Sequence, residues 1–364
     1  MEQKLPDTLY PPTTRVGKVK YRRIATEEAW APADILDRFR DLAASGRLND
    51  PGFNSMFGFY LTSPSVRSRQ IRDYLVDLDE QRIAHMDERG IDMQILSLTA
   101  PGVQVFERDL AVSLAATSND MLSAAVRRHP DRLAGLAAVA PQDPVAAAKE
   151  LERAVQVLGL KGAIINSRTF DEYLDDPKFW PILEAAEALQ VPIYLHPQTP
   201  PASMVGPLLE CGLDGAIFGF AVETGMHLLR IIMSGALDRF PDLKLVAGHL
   251  GEGLPFWMYR LDYMHRASVL SRRYERVKPL QMKISDYLRR NLFVTTSGMP
   301  WEPAIKFCQS VLGVERVLYA MDYPYEHDLE EVVGCDNMDL TERDQALFFQ
   351  HNAEAVFKLE TKTI

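Results

Sequence analysis

Four short apolar runs in this sequence each deliver an ionisable side chain at or next to their C-terminal end. IATEEA carries Glu27, PIYLHP carries His196, LVAGH carries His249 and LYAMDYPY carries Asp322. Two carboxylates and two imidazoles are a donor set for a divalent cation held by oxygen and nitrogen. Taken singly, each has a plainer reading: a His at a strand end is commonly a hydrogen-bonded structural residue, and an Asp before Tyr-Pro a turn former. The same placement recurring in four runs is what points to a metal site. The remaining histidines are placed differently. His85, His129, His265 and His351 fall on predicted helices or their ends and read as surface residues. His227 follows Glu223 by four residues, a spacing that can chelate, but its setting in GFAVETGMHLLR favours packing. His327 follows Asp322 closely enough to support it.

These residues meet only if their strands end on one face. From Lys20 onward, runs of strand length alternate with longer segments of helical period, the signature of βα units around a parallel sheet. The expected strands are 21–26, 93–98, 133–139, 162–166, 192–196, 244–249, 291–296 and 317–322. Helical stretches such as PVAAAKELERAVQVLG and WEPAIKFCQSVLG separate them, several starting after Pro or Asp and stopping at Gly. Eight such units predict a (β/α)8 TIM barrel, whose catalytic groups converge at the C-terminal ends of the strands. A doubly wound open sheet is the competitor, and the lack of G-x-G-x-x-G after the first strand counts against it. The connection over about 31–90 is too long for one helix and holds an aromatic, turn-rich piece, FNSMFGFYLTSPS. It reads as an insertion between strands 1 and 2 lying over the barrel mouth. Residues 1–19 are polar with Pro6, Pro11 and Pro12 and read as an N-terminal arm, which leaves 20–364 as a single barrel domain.

Composition sets the outer bounds. With 47% hydrophobic and 25% charged residues, the 364-residue chain is that of a soluble globular protein. Forty Lys plus Arg against fifty Asp plus Glu give a net charge of -10, and the densest basic stretches, Arg127-Arg128-His129 and Arg272-Arg273, are short, so nucleic acid is not an expected partner. Cys211, Cys308 and Cys335 lie far apart without C-x-x-C spacing, which indicates neither a disulfide framework nor a thiolate metal site and fits a reducing cytoplasm. The N-terminus has no apolar signal region and no long apolar run follows, so no membrane partner is expected.

The segments RIATEEAW, GFYLTSPSVR, LSLTAPGVQ, VAPQDP, GLDGAIFGFAVETGMHLLR, GHLGEGLPFWMYRLDYMH, SGMPWEPAIKFCQ, YAMDYPY and FFQHNAEAVFKL span about 20–359. Together they resemble the amidohydrolase-type metal-dependent decarboxylases of aromatic acids. That resemblance implies Glu27, His196 and Asp322 as metal ligands, with His249 beside the metal; loss of CO2 from an aryl carboxylate needs an acid to protonate the ring carbon, and Asp322, with His249 as relay, is the expected donor. It implies Arg67, Arg260, Tyr60 and Tyr325 as residues for the substrate's second carboxylate, and Thr99 close by. From spacing alone, either arginine reads equally as a surface ion-pair former. Many hydrolytic relatives open with His-x-His on strand one, and several decarboxylases with Glu-x-His. Here Glu27-Glu28-Ala29 leaves the metal one imidazole fewer, and such an oxygen-rich set suits Mn²⁺ first and Zn²⁺ second. The implied activity is non-oxidative decarboxylation of an ortho-hydroxy aromatic acid, first 5-carboxyvanillate and second another hydroxybenzoate such as 2,6- or 2,3-dihydroxybenzoate, in aromatic-compound catabolism including lignin degradation. It needs no organic cofactor. A metal-dependent hydrolase of a lactone or amide is the alternative. A small aromatic carboxylate is the implied partner, and a homodimer or homotetramer the implied assembly.

Overall fold

The computed structural model describes residues 19–361, so the expected arm lies, but for Val19, outside the described residues. Nine short strands follow in chain order: β1 (Ile24–Trp30), β2 (Met93–Leu98), β3 (Leu133–Gly135), β4 (Ala137–Ala138), β5 (Ala163–Asn166), β6 (Ile193–His196), β7 (Leu245–Ala247), β8 (Leu292–Thr295) and β9 (Val317–Leu318). All pairings are parallel, in the orders β1-β2-β3 and β4-β5-β6-β7-β8-β9. Hydrogen bonds join the two runs into one ring. Leu136, between β3 and β4, gives its N–H to Leu96 O at 2.8 Å, and Ala137 gives its own to Gly162 O at 2.8 Å. At the other seam, the Thr26 N–H reaches Tyr319 O at 3.1 Å. A parallel sheet needs a crossover between successive strands, and helices fill the crossovers, which makes the molecule the expected (β/α)8 barrel. The strand expected over 133–139 is divided at Leu136, where the chain exchanges β2 for β5 as its partner.

Strand boundaries differ from expectation where the site is built. β1 starts at Ile24 and continues through both glutamates to Trp30 instead of spanning 21–26. It carries one extra residue against β2, because Ala25 pairs with Gln94 but Glu28 with Leu96. A bulge of this kind re-aims the side chains beside it. β9 ends at Leu318 and β7 at Ala247, so Asp322 and His249 lie past their strands, both with positive φ, +70° and +50°. Within strands the period of two sorts the core. Ile193 and Leu195 of β6 pack toward the helices, whereas Tyr194 joins Ile24, Ile95, Ile164, Val246 and Leu318 on the opposite faces. Each fully buried side chain of this size contributes roughly 1.5–3 kcal/mol.

Four helices occupy the long first connection: α1 (Ala33–Ser45), α2 (Pro51–Thr62), α3 (Val66–Val76) and α4 (Glu80–Arg89). The piece expected to be turn-rich is therefore mostly helix. Asp50 Oδ1 accepts the Phe53 N–H at 2.9 Å, and Pro51 fills the first helical position, where its missing N–H costs nothing. Asp50 Oδ2 also accepts Arg168 Nη2 at 2.6 Å, and both residues are buried. Removing one partner of such a buried pair costs about 3–5 kcal/mol, so α2 is anchored to the loop after β5. A Cβ on Gly52 would stand 2.6 Å from the Thr199 side chain, which places the start of α2 directly on the loop after β6.

Candidate active site

Glu27, His196 and Asp322 offer ligand atoms that all lie within 4.8 Å of one another. Glu27 is buried, and its Oε2 accepts Thr295 Oγ1 at 2.8 Å together with the hydroxyls of Tyr194 and Ser297. Its Oε1 is buried with no hydrogen-bond partner, 3.5 Å from His196 Nε2. His196 Nδ1 lies 2.8 Å from Pro197 O, which assigns the ring proton to Nδ1 and leaves the Nε2 lone pair facing Glu27. An orphaned carboxylate oxygen, an imidazole lone pair and a second carboxylate converging in one place fit a divalent cation. The chain makes room for this closeness at Gly248, where a Cβ would meet Glu27 Oε2 at 2.6 Å and Ser297 Oγ at 2.9 Å.

Protons distribute unevenly over the cluster. Burial alone would raise the Glu27 carboxyl, but His249 and His196, with the Ser297 and Tyr194 hydroxyls, hold it below the usual carboxylate range. Asp322 goes the other way: burial, then the neighbouring Glu27 charge, pushes its carboxyl well above that range. Burial also depresses His196, against the pull of Glu27. His249 is opposed by burial, yet Glu252, whose Oε1 lies 2.8 Å from its Nδ1, raises it to about 10 with help from Glu27 and Asp322.

A cavity of about 140 Å³ opens beside these groups, walled by His196, His249 and Asp322 with Met56, Phe57 and Tyr60 of α2, Arg67 of α3, and Phe220, Tyr325 and Glu326. A void of roughly 150 Å³ takes a benzene ring, so the space is of the order of one aromatic ring. Of the residues expected to hold substrate, Tyr60, Arg67 and Tyr325 line this wall, Tyr60 and Tyr325 edge-on at 6.2 Å. Arg67 Nη2 donates to Tyr325 O at 2.7 Å. Thr99 stands behind, its Oγ1 2.6 Å from Tyr325 Oη. Arg260 is not brought to this wall; it is exposed on the Leu254–Ser271 helix. A larger surface depression of about 670 Å³ lies between that helix and residues 279–286, and none of the strand-end groups lines it.

Sequence reasoning missed several members. Tyr194, Thr295 and Ser297 orient Glu27, and Glu252 partners His249 three residues away, a spacing that could have flagged it. Glu326 also lines the cavity, its carboxyl raised by burial against His249 and Arg67. Among the other histidines, His85 is half-buried, its Nδ1 2.9 Å from Tyr323 Oη. His327 packs edge-on against Tyr74 and Tyr323. His227 is fully buried, as its apolar setting suggested.

The amidohydrolase family model matches residues 63–359. The 5-carboxyvanillate decarboxylase of Novosphingobium aromaticivorans DSM 12444, solved with manganese and 4-hydroxy-3-methoxy-5-nitrobenzoic acid, is 53% identical with a TM-score of 0.92, over 93% of this chain and 96% of that one. The 5-carboxyvanillate decarboxylase of Sphingomonas paucimobilis is 38% identical with a TM-score of 0.88, over 93% and 99% of the two chains. A gamma-resorcylate decarboxylase of Polaromonas sp. (strain JS666) is 36% identical over 304 residues, 81% of this chain and 90% of that protein.

Proposed function

The chain belongs to the amidohydrolase family, and we propose that within it the protein is a metal-dependent, non-oxidative carboxy-lyase that converts 5-carboxyvanillate to vanillate and CO2. The observation that carries this reading is the unpartnered Glu27 Oε1, aimed at His196 and Asp322 on the wall of a one-ring cavity that also presents Arg67. Glu27, His196 and Asp322 hold one divalent cation, Mn²⁺ ahead of Zn²⁺. When bound, the cation supplies positive charge for the phenolic and ortho-carboxylate oxygens and lowers the phenol's pKa. No organic cofactor is required, because the phenol accepts the electron pair once the ring carbon has been protonated. Asp322 delivers that proton, with His249 beside it as relay. Arg67 pairs with the second carboxylate, as suits a planar guanidinium, while Tyr60 and Tyr325 flank the ring and Thr99 fixes Tyr325.

The helices of residues 31–90 form the cover of the mouth, on a barrel that is a single domain from residue 20 onward. The enzyme works in the cytoplasm on aromatic compounds such as those released from lignin, and among the described residues no helix is long and apolar enough to cross a membrane. It assembles as a homodimer or homotetramer, and Arg260 enters a site only from a second copy. The deciding experiment is a hydroxybenzoate panel assayed for CO2 with metal content measured alongside. We expect 5-carboxyvanillate to be preferred, 2,6- and 2,3-dihydroxybenzoate to be poor, and chelation to abolish a turnover that Mn²⁺ restores. Arg67→Ala should cost turnover of the dicarboxylate about 10- to 150-fold, the equivalent of a charge-assisted bond worth ~1.5–3 kcal/mol, and cost monocarboxylates little. Full activity without metal, or lactone hydrolysis without CO2 release, would overturn the reading.

A further inference from the structure

Glu28 is a buried carboxylate next in sequence to Glu27, and the reaction just described gives it no task. Its oxygens accept two backbone donors: Oε1 takes the Met321 N–H at 3.0 Å, and Oε2 the Tyr323 N–H at 3.1 Å. Those are the residues on either side of Asp322, which sits at φ +70° in the region that L residues avoid. Left-handed single residues persist where the surroundings over-determine them. Here the surroundings converge on Glu28. Gln94 Nε2 donates to its Oε2 at 3.3 Å, and Gln94 Oε1 accepts Arg82 Nη1 at 3.0 Å. Arg82, itself buried, bonds the carbonyls of Asp77, Ala29 and Tyr74 and lies 4.6 Å from the centroid of the Tyr323 ring. The frame thus holds both β1 and the segment that carries Asp322.

We infer that Glu28 is a positioning residue for Asp322: its carboxylate clamps the two flanking peptide groups so that the Asp322 side chain stands with Glu27 and His196. The inference rests on the metal-dependent reading above. Consecutive glutamates of β1 serve different ends, as alternating strand positions do, Glu27 among the ligand atoms and Glu28 bonded to the peptides around Asp322. A carboxyl is the right group because two N–H donors arrive on different oxygens. An amide of the same shape would turn its own N–H₂ toward one of them.

The test is Mn²⁺ titration of the metal-stripped protein by calorimetry, well below the melting temperature, on wild type, Glu28→Gln and Glu223→Gln. Glu223 is an equally buried carboxylate, on the Gly219–Met233 helix. Residues that orient metal ligands typically govern affinity by 10- to 100-fold, so Glu28→Gln should weaken Mn²⁺ binding by about 10-fold or more. After reloading, it should lower kcat with little change in KM. Glu223→Gln should lower the melting temperature while leaving Mn²⁺ affinity near that of wild type. Equal Mn²⁺ affinities in wild type and Glu28→Gln would overturn the inference alone, and so would equal losses in both variants. A wild type that binds no Mn²⁺ would overturn the parent reading with it. Should Glu28→Gln fail to fold, Gln94→Leu removes the side-chain donor to Glu28 and should weaken Mn²⁺ binding in the same sense; an unchanged affinity there would overturn the clamp.

Discussion

Asp322 is given two duties that pull against each other, holding a cation as a carboxylate and donating a proton as an acid. Burial and the Glu27 charge favour the protonated form, a cation held there would oppose them, and the proton that Asp322 passes to the ring carbon would be the one given up by the phenol. Asp322→Asn keeps the backbone, because Asn tolerates the +70° φ that most residues would not, and removes the acid; metal content measured alongside shows how much of the loss belongs to the ligand. Turnover should fall by ~10²-fold or more, the usual contribution of a positioned general acid. Wild-type product formed in deuterated water should carry one deuterium at the vacated ring carbon. Near-normal turnover in the variant with full deuteration would move the acid to His249. The residues with unusual chemistry at strand ends, Glu27, His196, His249 and Asp322, were legible in the sequence because nothing apolar competes with them there. Tyr194, Thr295 and Ser297 were not, since hydroxyl residues in strands look like ordinary packing until Glu27 is seen to accept from all three.

Elements decide where those residues point, and the most consequential of them were the least legible. A bulge leaves no mark in hydrophobic periodicity, so β1 was expected to stop at Thr26, short of the two glutamates it carries. In 53–65, glycine, serine and proline among aromatics suggested turns, whereas the Asp50-Pro51 cap starts a helix that buries Phe53 and Phe57. Length and alternation, by contrast, located every other strand to within a few residues, because each is a short apolar run closed by a turn. The Gly219–Met233 helix shows how an element is pinned once formed. Its His227 accepts the Leu174 N–H at Nε2, 2.9 Å, so Nδ1 carries the proton and meets Ser167 Oγ at 3.0 Å, tying the helix to the loop after β5. Burial, with Arg230 nearby, depresses this imidazole to about 3. A depressed folded-state pKa favours folding fully above the unfolded value near 6.5, and this contribution drains away as pH falls toward 3. Comparing His227→Gln with wild type in urea, the stability gap should narrow by about 2 kcal/mol between pH 7 and pH 5, at ~1.4 kcal/mol per pH unit. A pH-independent gap would mean that the imidazole titrates in the fold as it does in the unfolded chain.

At the scale of the whole molecule, the apolar surface is unevenly spread. The Leu254–Ser271 helix exposes Phe256 at 73%, Tyr259 at 83% and Leu270 at 78%, and the Phe256 ring continues the patch to Phe307 at 6.3 Å. Apolar side chains grouped in this way mark a contact surface more often than chance, and a stable contact buries about 800 Å² per partner. A second copy is the occupant we propose, since the same helix carries Arg260, which has no place in the cavity of its own chain. Charge supplies the discriminating measurement. Two chains of net charge -10 repel, so an apolar contact between them should tighten as salt screens that repulsion, whereas an ionic contact would loosen. Sedimentation should therefore find a dimer or tetramer that persists at high salt, and Tyr259→Glu with Leu270→Glu should shift it toward monomer. If Arg260 serves a neighbouring site, that monomer should also lose affinity for the dicarboxylate more than for a monocarboxylate. A wild type that sediments as a fully active monomer would return Arg260 to the surface role that its spacing alone suggests.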